Sequence, residues 1–269
     1  MLCDLTHKPC PLWRNGECQD DRGAECRRNN GTLTVSWFSA GVSSAVATKL
    51  AIDRIDRIIY THIDDQHSDT LRFVKDCETW FGKPVEIIQS PYKTVAAVVR
   101  AGGSKFVNGP SGAICTRYLK RRVREEWEEE HCHEHLTYVW GMDYDEQDRA
   151  DRIRESMRNQ DHIFPLIDAK VTKQQAHQIL RASGIRRPVM YDLGFQNNNC
   201  IGCVKGGMAY WNRVRIAFPE VFAARAKMER EIGGSCINGV YLDELDPQRG
   251  CDKPPIVEAC GIYCEIMRL

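Results

Sequence analysis

Hydrophobic and polar positions between Thr32 and Ile88 follow two alternating periods. Thr32–Phe38 is rich in β-branched and aromatic residues, the composition of a buried strand. Val42, Ala45, Val46 and Leu50 then recur at i, i+3, i+4 and i+8, one face of a helix. Arg57 to Ile63, with Ile58, Ile59 and Ile63, predicts a second strand. Leu71, Val74, Cys77 and Phe81 predict a second helix, capped by Ser68 and stopped by Gly82. Pro84 to Ile88 predicts a third strand. This order, with short connections, predicts an α/β fold built on a parallel sheet with helices on both faces. Ligands of such sheets bind outside the carboxyl ends of strands, where Ser39 and Asp64 fall.

The pattern continues with a short helix from Tyr92 to Gly103 and a helix opening near Ala113 and running toward His131. Leu136 to Trp140 reads as a strand closed by Gly141, and Ile163 to Ile167 is a short apolar run around Pro165. Thr172-Lys173-Gln174-Gln175 is a capping-box start to a helix ending near Gly184. Tyr210 to Phe218 and Pro219 to Ile232 read as two helices, the second with proline in its first turn.

Between the first strand and helix stands Ser39-Ala40-Gly41-Val42-Ser43-Ser44, small and hydroxyl-rich. A strand passing through such a loop into a helix leaves N–H groups and hydroxyls at a helix N-terminus, an anion site. The spacing is neither of the two commonest phosphate-loop patterns. A second charge feature lies in the helix after Ala113. Arg117, Lys120, Arg121, Arg122 and Arg124 fill its first half, and Glu125, Glu126, Glu128, Glu129 and Glu130 its second. That is the reverse of what the helix dipole favours, so the cationic half is expected to meet a phosphate or a nucleic-acid backbone. A solvated charged face is the alternative.

Composition narrows the class. Lys plus Arg and Asp plus Glu both total 37, so a nucleic-acid partner requires a local patch. No long apolar run is present and the N-terminus lacks a signal-peptide core, so a cytoplasmic protein without membrane contact is expected. Thirteen cysteines in a reducing compartment read as metal, cluster or thiol chemistry before disulfides. Cys77 and Cys132 read as small buried hydrophobes. Cys3, Cys10, Cys18 and Cys26 lack zinc-finger spacing and receive no assignment, nor do Cys236 and Cys251. Cys200-Ile201-Gly202-Cys203 holds two thiols on a turn made by glycine and can grip one metal or cluster edge. Cys260 and Cys264 offer a second pair, which completes a four-thiolate inventory suited to zinc or to a [4Fe–4S] cluster. Trp211, Arg213 and Arg215 beside the motif are weak candidates for stacking on a nucleobase.

The loop Ser39 to Ser44 resembles the pyrophosphate loop of the N-type ATP pyrophosphatases and PAPS reductases, Ser-Gly-Gly-x-Asp-Ser, departing at the second and fifth positions. Asp64-Asp65-Gln66 stands where that superfamily often has Asp-Thr-Gly near the nucleotide. Cys115 to Lys120 resembles its cysteine-then-lysine segment, and Gly141 with Arg149 its later glycine and arginine. The five motifs occur in family order over roughly residues 32 to 205. The resemblance implies an adenine nucleotide alpha hydrolase-like fold over residues 32–195; composition and pattern add a Cys-rich extension over 1–31 and a helical region with the cysteine motif over 196–269. It implies nucleotide contacts from Ser39, Gly41, Ser43, Ser44, Asp64, Gly141 and Arg149, and catalytic roles for Cys115 and Lys120. In cluster-bearing relatives a cysteine of that segment joins the later pair, so Cys115, Cys200, Cys203, Cys260 and Cys264 become candidate ligands. Four of the five would hold one centre, or three would and leave an iron open. Iron–sulfur is favoured over zinc only through this resemblance.

The implied activity is a PP-loop enzyme that binds ATP or an adenylyl nucleotide with Mg2+ and activates or transfers sulfur, with tRNA or DNA as an expected acceptor and a sulfur donor as partner. A thioredoxin-dependent adenylyl sulfate reductase is one alternative, with Cys260 or Cys264 as its thiolate. A zinc-stabilised nucleic-acid-binding module without catalysis is the other.

Overall fold

The computed structural model describes residues 13–14, 17–18, 31–101, 107–109, 112–131, 134–250 and 256. The expectations for Cys260 and Cys264 lie outside these residues, as do those for Cys3, Cys10, Cys26, Cys132 and Cys251. Of the N-terminal extension the structure describes only a short antiparallel pair, Trp13–Arg14 with Glu17–Cys18.

Five strands form one parallel sheet. They are β1 (Thr32–Phe38), β2 (Arg57–His62), β3 (Val85–Gln89), β4 (His135–Val139) and β5 (Asp161–Ile163). The spatial order is β3-β2-β1-β4-β5, with Val35 opposite both Arg57 and Tyr138. Chain order reverses between β1 and β4, so the crevice beyond their carboxyl ends is a topological switch point. Helices α1 (Val42–Leu50), α2 (Asp69–Phe81) and α6 (Lys173–Ala182) cover one face, burying Phe38, Val46, Ile58, Phe73 and Leu180 together. On the other face Val35, Ile59 and Tyr138 meet Trp127. Trp127 belongs to α4, a composite of Ile114–Thr116, a π-helical segment Arg117–Arg121 and Arg122–Glu130. The α/β architecture is therefore as the periodicities predict.

A second core lies beyond the sheet. It joins α3 (Val95–Ala101) and Leu119 of α4 to α7 (Met208–Ala217) and α8 (Pro219–Ile232) through Val98, Val204, Trp211, Val214 and Met228. The short helix α5 (Gln147–Ser156) follows β4.

Several local expectations are met in detail. Gly82 ends α2 at φ 70, and Thr172 caps α6 with its hydroxyl accepting from the Gln175 amide. Two others are corrected. The Ser68 side chain does not cap α2; instead His67 Nδ1 accepts from the Asp69 amide at 3.1 Å. Leu71 is 43% exposed and Phe73 takes the core position, because α2 is rotated so that Thr70, Phe73, Val74, Cys77 and Phe81 face inward. Three of the five cations in the first half of α4 are answered within the helix, Arg121, Arg122 and Arg124 pairing with Glu125, Glu126 and Glu128. Trp211 is fully buried, and Arg215 donates to the Leu242 and Leu245 carbonyls, so both act in the core and its loops.

Candidate nucleotide and thiol site

The loop between β1 and α1 is closed by one hydroxyl. Ser44 Oγ accepts from Ser39 Oγ at 2.9 Å and from the Ser39 and Gly41 amides at 3.3 Å, and donates to the Gly41 carbonyl at 2.9 Å. Ser44 is buried, whereas Ser39 is exposed at the mouth. The first helical bond runs from the Ala45 amide to Gly41 O at 3.0 Å, so the first-turn amides of Val42, Ser43 and Ser44 precede it. The Tyr191 hydroxyl takes that of Val42 at 3.3 Å. Helix geometry leaves those of Ser43 and Ser44 to an outside acceptor.

The loop departs from its family pattern at Ala40, and the structure shows what that departure costs. Ala40 has φ 55, the left-handed region that favours glycine, and is fully buried. The strain costs about 1 kcal/mol and the buried methyl returns about 0.8 kcal/mol. Ala40→Gly is therefore expected to unfold within about 1 kcal/mol of wild type in urea, whereas Ala40→Val, β-branched at positive φ, loses more than about 2 kcal/mol.

Gly141, the residue after Trp140 beyond β4, leans directly on this loop. A Cβ added there would stand 2.3 Å from Ser44 Cα and 2.8 Å from its amide nitrogen. The close approach expected of this glycine is thus made to Ser44. Arg149 lies on α5, 60% exposed, with Nη1 2.7 Å from Glu146. Asp64 is 44% exposed at the carboxyl end of β2, where it accepts from Gln89 Nε2 and faces His62 Nε2 at 3.4 Å. The more connected carboxylate is its neighbour. Asp65 accepts from the Val95 amide at the start of α3 at 2.6 Å and from buried Arg225 of α8 at 3.2 Å. The Asp65 carbonyl also accepts from the Ile201 amide of the cysteine turn at 2.8 Å.

That turn, Cys200 to Cys203, is held by Tyr210, whose hydroxyl donates to the Cys200 carbonyl and accepts from the Cys203 amide, both at 2.9 Å. Gly202 has φ 71 and packs on Trp211 and Val221. Cys115, Cys200 and Cys203 are brought near one another. Burial pushes the Cys115 thiol up, and the charges of Cys203 (upward) and of Lys205 and Lys120 (downward) also reach it. Burial likewise pushes Cys200 up to about 12, against the opposing charge of Lys120. Lys120 lies within the π-helical segment Arg117–Arg121, which opens two residues after Cys115, a backbone irregularity common at functional sites. Among the described residues, however, no group of three or more His, Cys, Asp or Glu is arranged to hold a metal ion. The described thiols do not make up a four-thiolate centre, which needs four donors at ligand distance.

Three contributors escaped the sequence reading. Asn198 bridges the two halves of the site, its Nδ2 donating to the Ala40 carbonyl at 2.7 Å and to Thr70 Oγ1 at 3.3 Å. Tyr191 backs the loop, as above. Cys236 is buried in the same core as Cys115 and is pushed up by burial and by Glu229, with the Cys115 charge also reaching it. The Asn197-Asn198-Asn199 run was a visible signal, but nothing local says which asparagine turns toward the loop.

A parallel sheet whose switch point carries a hydroxyl-closed loop at a helix N-terminus defines a nucleotide-binding α/β protein. Residues 33–209 match the family described as the phosphoadenosine phosphosulfate reductase domain, and the chain belongs to that PP-loop, adenine nucleotide alpha hydrolase-like family. Comparison with curated proteins gives no match. Among the described residues no helix is long and apolar enough to cross a membrane.

Proposed function

We propose that this chain is an adenine-nucleotide enzyme that activates or transfers sulfur. The observation that carries the reading is Asn198. It stands two residues before Cys200 and bonds the Ala40 carbonyl, so the phosphate loop and the thiol turn share one wall. In the ATP version MgATP lies over Ser39 to Ser44. An acceptor oxygen attacks the α-phosphate, pyrophosphate leaves, and a sulfur nucleophile then displaces AMP. The loop amides and the Ser39 hydroxyl hold the phosphate charge. Arg149 can join them by leaving Glu146, since an exposed ion pair is worth at most about 1 kcal/mol.

The sulfur side uses Cys115, Cys200 and Cys203 with Lys120. Cys115 and Cys200 are protonated when unopposed, because burial disfavours the thiolate, and Lys120 opposes that for both. A tRNA or DNA acceptor belongs to this proposal only as the most demanding case, since Arg121, Arg122 and Arg124 already have carboxylate partners.

The test is ATP–pyrophosphate exchange with candidate acceptors. Ser44→Ala removes the hydroxyl that closes the loop and is expected to lower exchange about 10- to 100-fold, the effect of about 1–3 kcal/mol. Exchange at wild-type rate in that variant would sink the assignment of the loop. Thioredoxin-dependent sulfite release from adenylyl sulfate, with no exchange, would instead establish the reductase version.

A further inference from the structure

The two thiols of the Cys200–Cys203 turn stand in unequal surroundings. Cys200 is 8% exposed and belongs to the core that holds Val204 and Trp211. Cys203 is part-exposed and lines a cavity of about 570 Å³ whose walls include Phe195, Met208 and Tyr210. That volume takes a small molecule and not a folded partner. Cys200 does not line it.

The turn itself is fixed from several sides. Gly202, third of its four residues, has φ 71, the left-handed angle that a type II turn requires there. The Tyr210 hydroxyl bonds the Cys200 carbonyl and the Cys203 amide, so one oxygen pins both ends. A Cβ on Gly206 would stand 2.0 Å from the Tyr210 ring, so glycine at 206 lets that ring lie against the turn. The Gly206 amide closes a second turn on the Cys203 carbonyl at 2.9 Å, and the Ile201 amide is tied to Asp65 at 2.8 Å. The ends of a β-turn stand within about 7 Å of each other, and a disulfide bridges Cα atoms up to about 6.8 Å apart.

We propose that Cys200 and Cys203 form a redox dithiol that takes the sulfane sulfur of a small persulfide or polysulfide and releases it as hydrosulfide. Cys203, the thiol at the cavity, attacks the outer sulfur of R–S–SH. A bond from Cys203 to that sulfur forms, the S–S bond of the donor breaks, and R–SH leaves with the Cys203 proton. Cys200 then attacks the Cys203 sulfur. The Cys200–Cys203 bond forms, the bond to the outer sulfur breaks, and that sulfur leaves as hydrosulfide while the Cys200 proton passes to solvent. The pair loses two electrons and the sulfane sulfur gains two. A dithiol reductant restores the pair by exchange and becomes a disulfide itself. Buried Cys200 is suited to the second step because its turn holds it beside Cys203. Use of the hydrosulfide as the nucleophile that displaces AMP rests on the function proposed above; the redox pair does not.

The test uses the full chain as purified, with its metal content measured. It is equilibrated in dithiothreitol redox buffers, alkylated and mapped by peptide mass spectrometry. A Cys200–Cys203 disulfide is expected at the oxidising end and both free thiols at the reducing end. Inorganic tetrasulfide added to the reduced chain should release hydrosulfide as that disulfide forms. Cys203→Ala should abolish both. Cys200→Ala should leave a persulfide on Cys203 and release no hydrosulfide, with a wild-type circular dichroism spectrum. Absence of the disulfide at every potential, a disulfide from Cys115 to either thiol, or a metal ion held by both thiols overturns the proposal. The wild-type mapping and the Cys203 variant decide it even where Cys200→Ala does not fold. ATP–pyrophosphate exchange is read on the same preparations. Exchange without the disulfide removes the redox pair alone, and the disulfide without exchange removes the nucleotide reading alone.

Discussion

Gly141→Ala is expected to weaken nucleotide binding and to lower the thermal midpoint together. The new methyl would stand 2.3 Å from Ser44 Cα and 2.5 Å from Ser44 Cβ, contacts that backbone cannot relieve by rotating a side chain. Either β4 and α1 separate or the loop deforms, and Ser44 then loses its bonds to Ser39 and Gly41. Overpacking of this kind costs about 1–3 kcal/mol, and a rigid backbone neighbour puts it at the upper end. For a chain of this size that is a drop of roughly 5–10 °C. On the nucleotide reading proposed above, ATP affinity should fall about 30-fold or more, because the Ser39–Ser44 loop is the deformed element. Gly31→Ala is the control, since a Cβ there meets nothing within 4 Å. Affinity within threefold of wild type in Gly141→Ala would show that the loop tolerates the displacement and that its geometry does not govern binding.

The second large effect is an acid limb set by His177. This histidine of α6 is fully buried behind the Ser39–Ser44 loop, its ring 4.6 Å from that of Tyr191, and neither nitrogen has a hydrogen-bond partner among the described residues. Burial holds its pKa down at about 3, with the charges of Arg187 and Lys173 adding to the effect. The sign follows from linkage. Between pH 6.5 and 3 the unfolded chain takes the proton and the folded chain refuses it, so stability falls as pH falls through that window. The loss approaches about 4–5 kcal/mol when complete. Burial shifts His162 in the same direction, while Asp69, held at about 2 chiefly by its hydrogen bond to Arg72, contributes only at lower pH. His177→Phe keeps a ring against Tyr191 and removes the buried polar nitrogens. Its stability should rise at pH 7, and its urea midpoint should fall much less than that of wild type from pH 7 to 5, the remaining slope being that of His162. A wild-type slope in His177→Phe, and equally in His177→Met, would assign the acid limb to other groups.

Both effects trace to what packs on the loop between β1 and α1, and that packing was only partly legible in the chain. The strand at Thr32–Phe38 and the helix from Val42 follow from period alone, since each must bury one face. Gly82 and Thr172 work as helix signals because capping is decided within a few residues. Leu71 and Ser68 misled for the converse reason. Which apolar side chain of α2 turns inward depends on Phe38 of β1, which Phe73 and Phe81 both meet across the interface, and the His67 ring outcompetes the Ser68 hydroxyl.

The candidate site divides in the same way. Sequence by itself determined the hydroxyl-rich loop, the glycine beyond β4 and the cysteine pair on a glycine turn, because each is a local composition with a local physical use. Tertiary structure decided that Gly141 presses on Ser44, that Asp65 and not Asp64 ties α3, α8 and the cysteine turn together, and that Asn198 bonds the loop. It also opened the cavity beside Cys203. These outcomes depend on which residues meet across many intervening positions. Adjacent carboxylates, or three asparagines in a row, carry the same local preferences, and only packing gives them different partners.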